Sequence, residues 1–287
     1  MQVSKTRIIV RLMSDFWCNG GWIGAEEFTL PPTDRGVILG LAIFETMLAV
    51  DGRPKFIPAH LKRWEESCRR LGWKFPDNDL EAIGAELLAR NGLTQGRGRL
   101  RLTMTGGSGS VFTKDAGTDA LTWITATPVD APPDSVSVLL SPWRRNERSP
   151  LAGLKTASYA ENILALDHAR AAGFDETLFL NTVGQLCEAG TSNVFIVRGG
   201  RVLTPSLDSG CLPGVMRSVI IALIGKMGLT CVETSLVSTD LEEADEIFLT
   251  SAIRGPVPVS RLGQRAFPAT PVTDSVRAAW RDEICRC

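Results

Sequence analysis

The chain is poor in the side chains that most often carry enzyme chemistry: one tyrosine and two histidines in 287 residues. With only His60 and His168, a histidine-rich metal site is excluded, as is any mechanism needing several imidazoles; no metal is expected. Charge of either sign is not in excess: the formal net charge is −1, which gives no general affinity for nucleic acid or acidic membranes. No apolar run approaches the roughly 20 residues of a membrane-spanning helix. The seven cysteines are scattered and odd in number, and only Cys285 and Cys287 stand close together. That pattern offers neither zinc spacing nor a disulfide framework, so reduced thiols in the cytoplasm are expected.

What is present is ordinary for a folded protein: 44% hydrophobic and 22% charged residues. The length suits two domains or one large one. Residues 1–13 carry Lys5, Arg7 and Arg11 and no acid, and Ile8-Ile9-Val10 is too short for a signal-peptide core. They read as a loose extension, or as the product of an upstream start codon with the true start at Met13.

Punctuation residues divide the rest. Asn19-Gly20 predicts a hairpin within 16–23. Strands are expected over 41–50 and 53–56, around Asp51-Gly52, with helices over 58–71 and 79–91. Strands near 98–105 and 120–128 follow, joined by a polar glycine-rich loop. The proline-rich stretch 128–134 reads as a linker between a small N-terminal α/β domain (1–127) and a larger domain (135–287). In the larger domain a strand is expected over 135–140, and a helix following Lys155 that reaches Ala172. A hairpin over 176–187, strands over 193–197 and 201–204, and a helix over 215–226 come next. Strands over 229–233 and 246–250 complete a domain rich in antiparallel strands.

Three segments could carry chemistry together. Lys155 follows the apolar, tight approach Pro150-Leu151-Ala152-Gly153-Leu154. A lysine held there loses hydration and becomes a nucleophile toward an aldehyde; a solvated surface lysine is the bland alternative. Glu188 ends an apolar strand before Ala189-Gly190. It is either a solvated turn residue or a carboxylate that keeps a pyridine nitrogen protonated. Leu212-Pro213-Gly214 opens a helix whose first amides, at Val215 and Met216, suit a phosphate dianion, although most such helix starts bind nothing. Aldehyde, ring nitrogen and phosphate are the three parts of pyridoxal phosphate. Arg63 on the first-domain helix could reach the phosphate or simply be solvated. Tyr159 stands four residues after Lys155. If both lie on one helical face, its phenol could bond the cofactor's O3′; a partly buried aromatic is the other reading.

In order along the chain stand Asp34-Arg35-Gly36, Phe44-Glu45-Thr46, His60-Leu61-Lys62-Arg63, Lys155, Glu188 with Ser192-Asn193-Val194-Phe195, Leu212-Pro213-Gly214 with Arg217, and Thr250-Ser251-Ala252. This ordered set resembles the class IV, fold-type IV pyridoxal phosphate enzymes. That group comprises branched-chain and D-amino acid aminotransferases, (R)-selective amine transaminases and aminodeoxychorismate lyases. The resemblance implies a two-domain α/β fold of α+β character, a homodimer and pyridoxal 5′-phosphate. It implies that Lys155 forms the Schiff base and shuttles the α-proton, and that Glu188 pairs with the pyridine nitrogen. It implies that Arg63, Val215, Met216 and Ser251 hold the phosphate. Ala252 stands where the family commonly has a hydroxyl.

Phe44, Arg144, Arg145 and Ile253 are the candidate substrate contacts. Arg144, Arg145 and Arg148 could anchor a carboxylate, against the alternative of a solvated charged loop. D-amino acid aminotransferases and many of the lyases carry arginines in the loop matching about 105–117, and here it has none. The expected activity is amino transfer between a small-molecule amino acid or amine and a 2-oxo acid. The alternatives are elimination of pyruvate from aminodeoxychorismate, giving 4-aminobenzoate, and a catalytically silent binding protein on this fold.

Overall fold

A computed structural model describes residues 15–110 and 119–286. The expectations for residues 1–13, and for the 111–117 part of the arginine-free loop, lie outside the described residues. Two compact units are present. One runs to Ala131 and takes in Lys155–Ser158; the other holds Pro132–Leu154 and the chain from Tyr159 onward.

In the first unit Asn19 and Gly20, with φ of 44° and 93°, turn β1 (Asp15–Cys18) onto β2 (Gly21–Gly24). A four-residue helix, α1 (Arg35–Ile38), has Asp34 as its cap, accepting from the Gly36 amide. β3 (Ala42–Val50) and β4 (Arg53–Pro54) join through Asp51 and Gly52, both at positive φ. Helix α2 (Ile57–Leu71) has proline in its first turn and stops at Gly72, whose φ is 71°. The Asp79 side chain caps α3 (Leu80–Arg90). β5 (Arg97–Thr105) and β6 (Thr122–Pro128) complete a six-stranded antiparallel sheet in the order β2-β1-β6-β5-β3-β4.

Strand alternation divides the duties of that sheet. Ile43, Met47, Leu100, Leu102, Ile124 and Ala126 pack in one cluster with Trp64 and Cys68 of α2 and Leu87 and Leu88 of α3. The residues between them, Phe44 and Thr46 on β3 and Arg99, Arg101 and Thr103 on β5, therefore belong to the opposite face.

The second unit differs from the sequence expectation in three places. β7 (Val136–Arg145) runs past 140, because a bulge between Leu140 and Arg144 lets the strand absorb Pro142. Arg144 and Arg145 thus lie on a strand, in register with Leu180 and Asn181 of β8 (Glu176–Asn181), and not in a loop. Helix α4 (Ala160–Ala171) starts five residues after Lys155.

β9 (Leu186–Ala189), β10 (Asn193–Arg198) and β11 (Arg201–Pro205) follow. Then come α5 (Val215–Lys226), β12 (Cys231–Thr234), the short α6 (Ser238–Glu242) and β13 (Glu246–Ser251). β14 (Gly255–Leu262), β15 (Arg265–Ala266) and α7 (Pro271–Arg286) were not anticipated. Pro256 and Pro258 disguise β14 as a loop in the sequence.

The sheet runs β12-β11-β10-β13-β14-β7-β8-β9, with β15 on β14. The expected antiparallel character holds for most pairs, but β11–β12, β14–β7 and β7–β8 are parallel. Its main core gathers Val138, Leu178, Val194, Ile196, Ile247, Leu249 and Val259. Among the described residues no helix is long and apolar enough to cross a membrane.

Candidate functional site

β4 pairs with β3 only at Ala49 and Val50, so the other end of β3 keeps an edge there. Residues 155–157 fill it. The Phe44 amide donates to the Lys155 carbonyl at 2.9 Å, the Ala157 amide donates to the Ala42 carbonyl at 2.7 Å, and Ile43 bridges Thr156. Lys155 is therefore held by its main chain in an extended segment. The premise of one helical face shared with Tyr159 fails: Tyr159 only caps α4, and its hydroxyl donates to the Gly190 carbonyl at 3.0 Å.

Main-chain pairing places the lysine side chain over Phe44, with Nζ 4.4 Å from the ring centroid. Arg101, diagonally across on β5, puts its guanidinium carbon 3.8 Å from the same centroid. Both cations gain from the ring's negative face, and an anion arriving beside Phe44 meets two positive groups. Arg101 escaped the sequence reading. The alternation of Arg97, Arg99, Arg101 and Thr103 within one expected strand was the available signal.

Arg63 is tied down on the core face. Its Nε and Nη2 donate to the two Glu45 carboxylate oxygens at 2.7 and 2.6 Å, and His60 Nδ1 lies 2.8 Å from Glu45 Oε2. Glu45 is 1% exposed. Burial would raise its pKa, but the Arg63 charge and the bonds from His60 and Arg63 outweigh that and hold the carboxyl at about 2. Neither Glu45 nor His60 stood among the candidate site residues. A carboxylate inside the apolar strand Ile43-Phe44-Glu45-Thr46-Met47 is the sign that a buried partner exists.

In the second unit, Glu188 projects from β9. Its Oε2 accepts from the Leu212 amide at 2.9 Å, and Arg145 Nη2 lies 3.5 Å from Oε1. Arg145 also stacks over Phe179, 4.5 Å from its centroid, and donates to Glu161 and Asn162. The arginine read as a carboxylate anchor thus serves a carboxylate of its own chain; Arg144 is exposed. Asn162 joins Tyr159 on the Gly190 carbonyl, at 2.6 Å. Gly190 has no room for a side chain, since an added Cβ would stand 2.7 Å from Glu176 Oε1.

Helix α5 begins at Val215 with no side chain capping it. Gly214 is pressed against Asn193, whose Oδ1 would lie 2.0 Å from an added Cβ. Asn193 Nδ2 in turn donates to the Leu212 carbonyl at 2.8 Å. Thr250 is the register partner of Asn193. Ile247 and Leu249 of β13 enter the core cluster, so Thr250 points to the other face, the one Asn193 shares. Thr250 is 1% exposed and its hydroxyl has no partner among the described residues. The Ser251 hydroxyl is turned into its own loop, where it accepts from the Arg254 amide at 3.4 Å. Ala252 and Ile253 form that turn. Arg217 points inward to the Pro205 carbonyl and to Glu233. An uncapped helix start beside an unsatisfied buried hydroxyl suits a phosphate dianion. Among the described residues no group of three or more His, Cys, Asp or Glu could hold a metal ion.

Residues 42–262 match the family model for amino-transferase class IV. A Synechocystis sp. protein named "Probable branched-chain-amino-acid aminotransferase" is 34% identical over 148 residues, 50% of this chain and 48% of that one. The match thus spans about half the length of that relative. The aminodeoxychorismate lyase of Bacillus subtilis is 29% identical over 260 residues, 86% of each chain. Among solved structures, the branched-chain aminotransferase of Thermoproteus uzoniensis with norvaline superposes with a TM-score of 0.89, at 25% identity and 94% coverage of both chains.

Proposed function

The chain belongs to the class IV aminotransferase family, and from that premise we propose that it moves an amino group between an amino acid or amine and a 2-oxo acid, with pyridoxal 5′-phosphate as cofactor. The observation that carries this reading is Lys155, locked by its main chain to β3 with its amine on Phe44 beside Arg101.

The residues fit the cofactor. The uncapped start of α5, with the Val215 and Met216 amides and the unpartnered Thr250 hydroxyl, would take the phosphate. When bound, the cofactor supplies an aldehyde that condenses with amines and a ring that withdraws electrons from the carbon being deprotonated. Lys155 Nζ would hold the aldehyde, and as a free amine it would be the base that takes the α-proton and the acid that returns it. The Glu188 carboxylate, directed by the Leu212 amide and Arg145, would keep the ring nitrogen protonated. Arg101 offers a cation to the substrate carboxylate, a part for which Arg144, Arg145 and Arg148 were candidates against a solvated charged loop.

Replacing Lys155 with alanine removes the amine and leaves the β3 pairing, which is main chain only. The expected result is loss of the borohydride-reducible yellow chromophore and of amino transfer. A K155A protein that keeps both ends the proposal.

Elimination of pyruvate from aminodeoxychorismate is the second reading, supported by the full-length likeness to the Bacillus subtilis lyase. One turnover without an acceptor separates the two. A transaminase leaves the cofactor in its amine form, and a lyase returns it as the aldehyde. We also infer a homodimer, because each unit leaves large apolar side chains exposed. Val37, Ile38 and Leu39 are consecutive in one, and Trp143, Ile163 and Leu164 lie in the other.

A further inference from the structure

We infer that Thr103 is a substrate contact, its hydroxyl forming with the Arg101 guanidinium a two-donor subsite for the carboxylate of the acid handled at Lys155. The inference rests on the amino-transfer reading above and supplies what the arginine-free loop after β5 lacks.

Thr103 is 5% exposed, and its hydroxyl has no hydrogen-bond partner among the described residues. Its neighbours on the sheet are satisfied: Thr105 donates to Asp34 at 2.6 Å, and Thr127 accepts from Arg99 at 3.2 Å. A covered hydroxyl with an unmade bond destabilises the fold. Valine has the same shape and would fill the place without that cost, so packing does not explain threonine.

Position does. Thr103 is the register partner of Phe44 on one side and of Trp123 on the other. It therefore stands in the row that carries the Lys155 amine, between two aromatic side chains. Arg101 is two residues back on the same face, about 7 Å along the strand, and already reaches toward Phe44. The hydroxyl can turn its proton toward an incoming oxygen, and the guanidinium adds a charge-assisted bond. Both groups donate, so the matching ligand group is an acceptor with two oxygens and a negative charge. The aromatic flanks suit an apolar remainder of the substrate.

The test compares holoenzyme of wild type, T103V and T103S with the best amino acid donor of a panel and with the amine formed by removing its carboxylate. Binding of 4-methylpentanoate, a carboxylate with no reacting group, is measured by calorimetry. In T103V, the KM for the amino acid and the Kd for 4-methylpentanoate should rise about tenfold, the worth of one hydrogen bond to a charged group. The kcat should stay within about twofold, and kinetics with the amine should not change. T103S should restore the wild-type values. T103V should be at least as stable to urea as wild type, because it loses an unsatisfied hydroxyl; a merely structural threonine would give the opposite. Equal losses with acid and amine, or an unchanged Kd for 4-methylpentanoate, overturn the subsite. If no donor is turned over but the Kd still rises in T103V, the subsite stands and the amino-transfer reading falls.

Discussion

Replacing Glu45 with glutamine keeps the side chain's size and removes its charge. The carboxyl is held at about 2 against an ordinary 4.5, despite a burial that by itself pushes the other way. That step corresponds to about 3 kcal/mol favouring the folded state at neutral pH. Removing one partner of a buried ion pair typically costs about 3–5 kcal/mol, an independent route to the same size. E45Q also takes the Glu45 charge away from the Arg63 guanidinium, whose side chain is 11% exposed. The sign follows from the direction of the shift. A carboxyl lowered by folding contributes its full stability above the unfolded value of 4.5, and loses it as pH falls toward about 2. Urea unfolding of wild type and E45Q at pH 7 should therefore differ by about 3 kcal/mol, and at pH 3 by about 1.5 kcal/mol. A difference under about 1 kcal/mol at pH 7, or one that does not shrink at pH 3, refutes the reasoning.

At the start of α5, Gly214→Ala places a Cβ against Asn193 Oδ1 and breaks the Asn193–Leu212 bond. A loss of about 1–3 kcal/mol in urea stability is expected, with weaker uptake of pyridoxal phosphate in a titration; unchanged values for both would show that Gly214 is not a cradle. The homodimer predicts twice the chain mass by light scattering, and a lower association constant for Ile38→Lys together with Leu164→Lys. A single-chain mass at micromolar concentration would remove it.

Residues whose meaning is local could be read from the sequence. Asn19-Gly20 marks a hairpin because both residues take positive φ, and Gly72 ends α2 for the same reason. Pro213-Gly214 locates the first residue of α5. Residues whose meaning depends on a distant strand could not. The segment after Lys155 has apolar residues at helical spacing, yet 155–157 are drawn straight by the unpaired edge of β3 more than a hundred residues earlier. Arg145 looks solvated beside Arg144 and Arg148, and acquires its partner only when β7 pairs with β8 and Glu188 comes alongside on β9. Glu45, His60 and Arg63 were each visible, but the bond among them joins a strand to a helix, and no spacing rule spans that gap.

On β3 the fold and the site share one strand and divide it by parity. Ile43, Glu45 and Met47 serve the helix-covered core, while Phe44 and Thr46 serve the face that carries Lys155 and Arg101. A slip of one residue would exchange the two sets and bury Phe44 where Glu45 now meets Arg63. Register therefore sets the placement of Lys155 as well as the packing of the core, and the chain fixes it at the end of the strand nearest the lysine. Arg35 is 1% exposed and donates to the Gly106 and Gly107 carbonyls. The Gly106 amide donates to the Leu41 carbonyl, and the Leu41 amide to the Arg35 carbonyl. These bonds pin the last residue of β5 opposite the first of β3, where Ala42 faces Thr105. From there the Ala157 amide reaches Ala42, so the register that sets Phe44 opposite Thr103 also sets where the Lys155 backbone attaches.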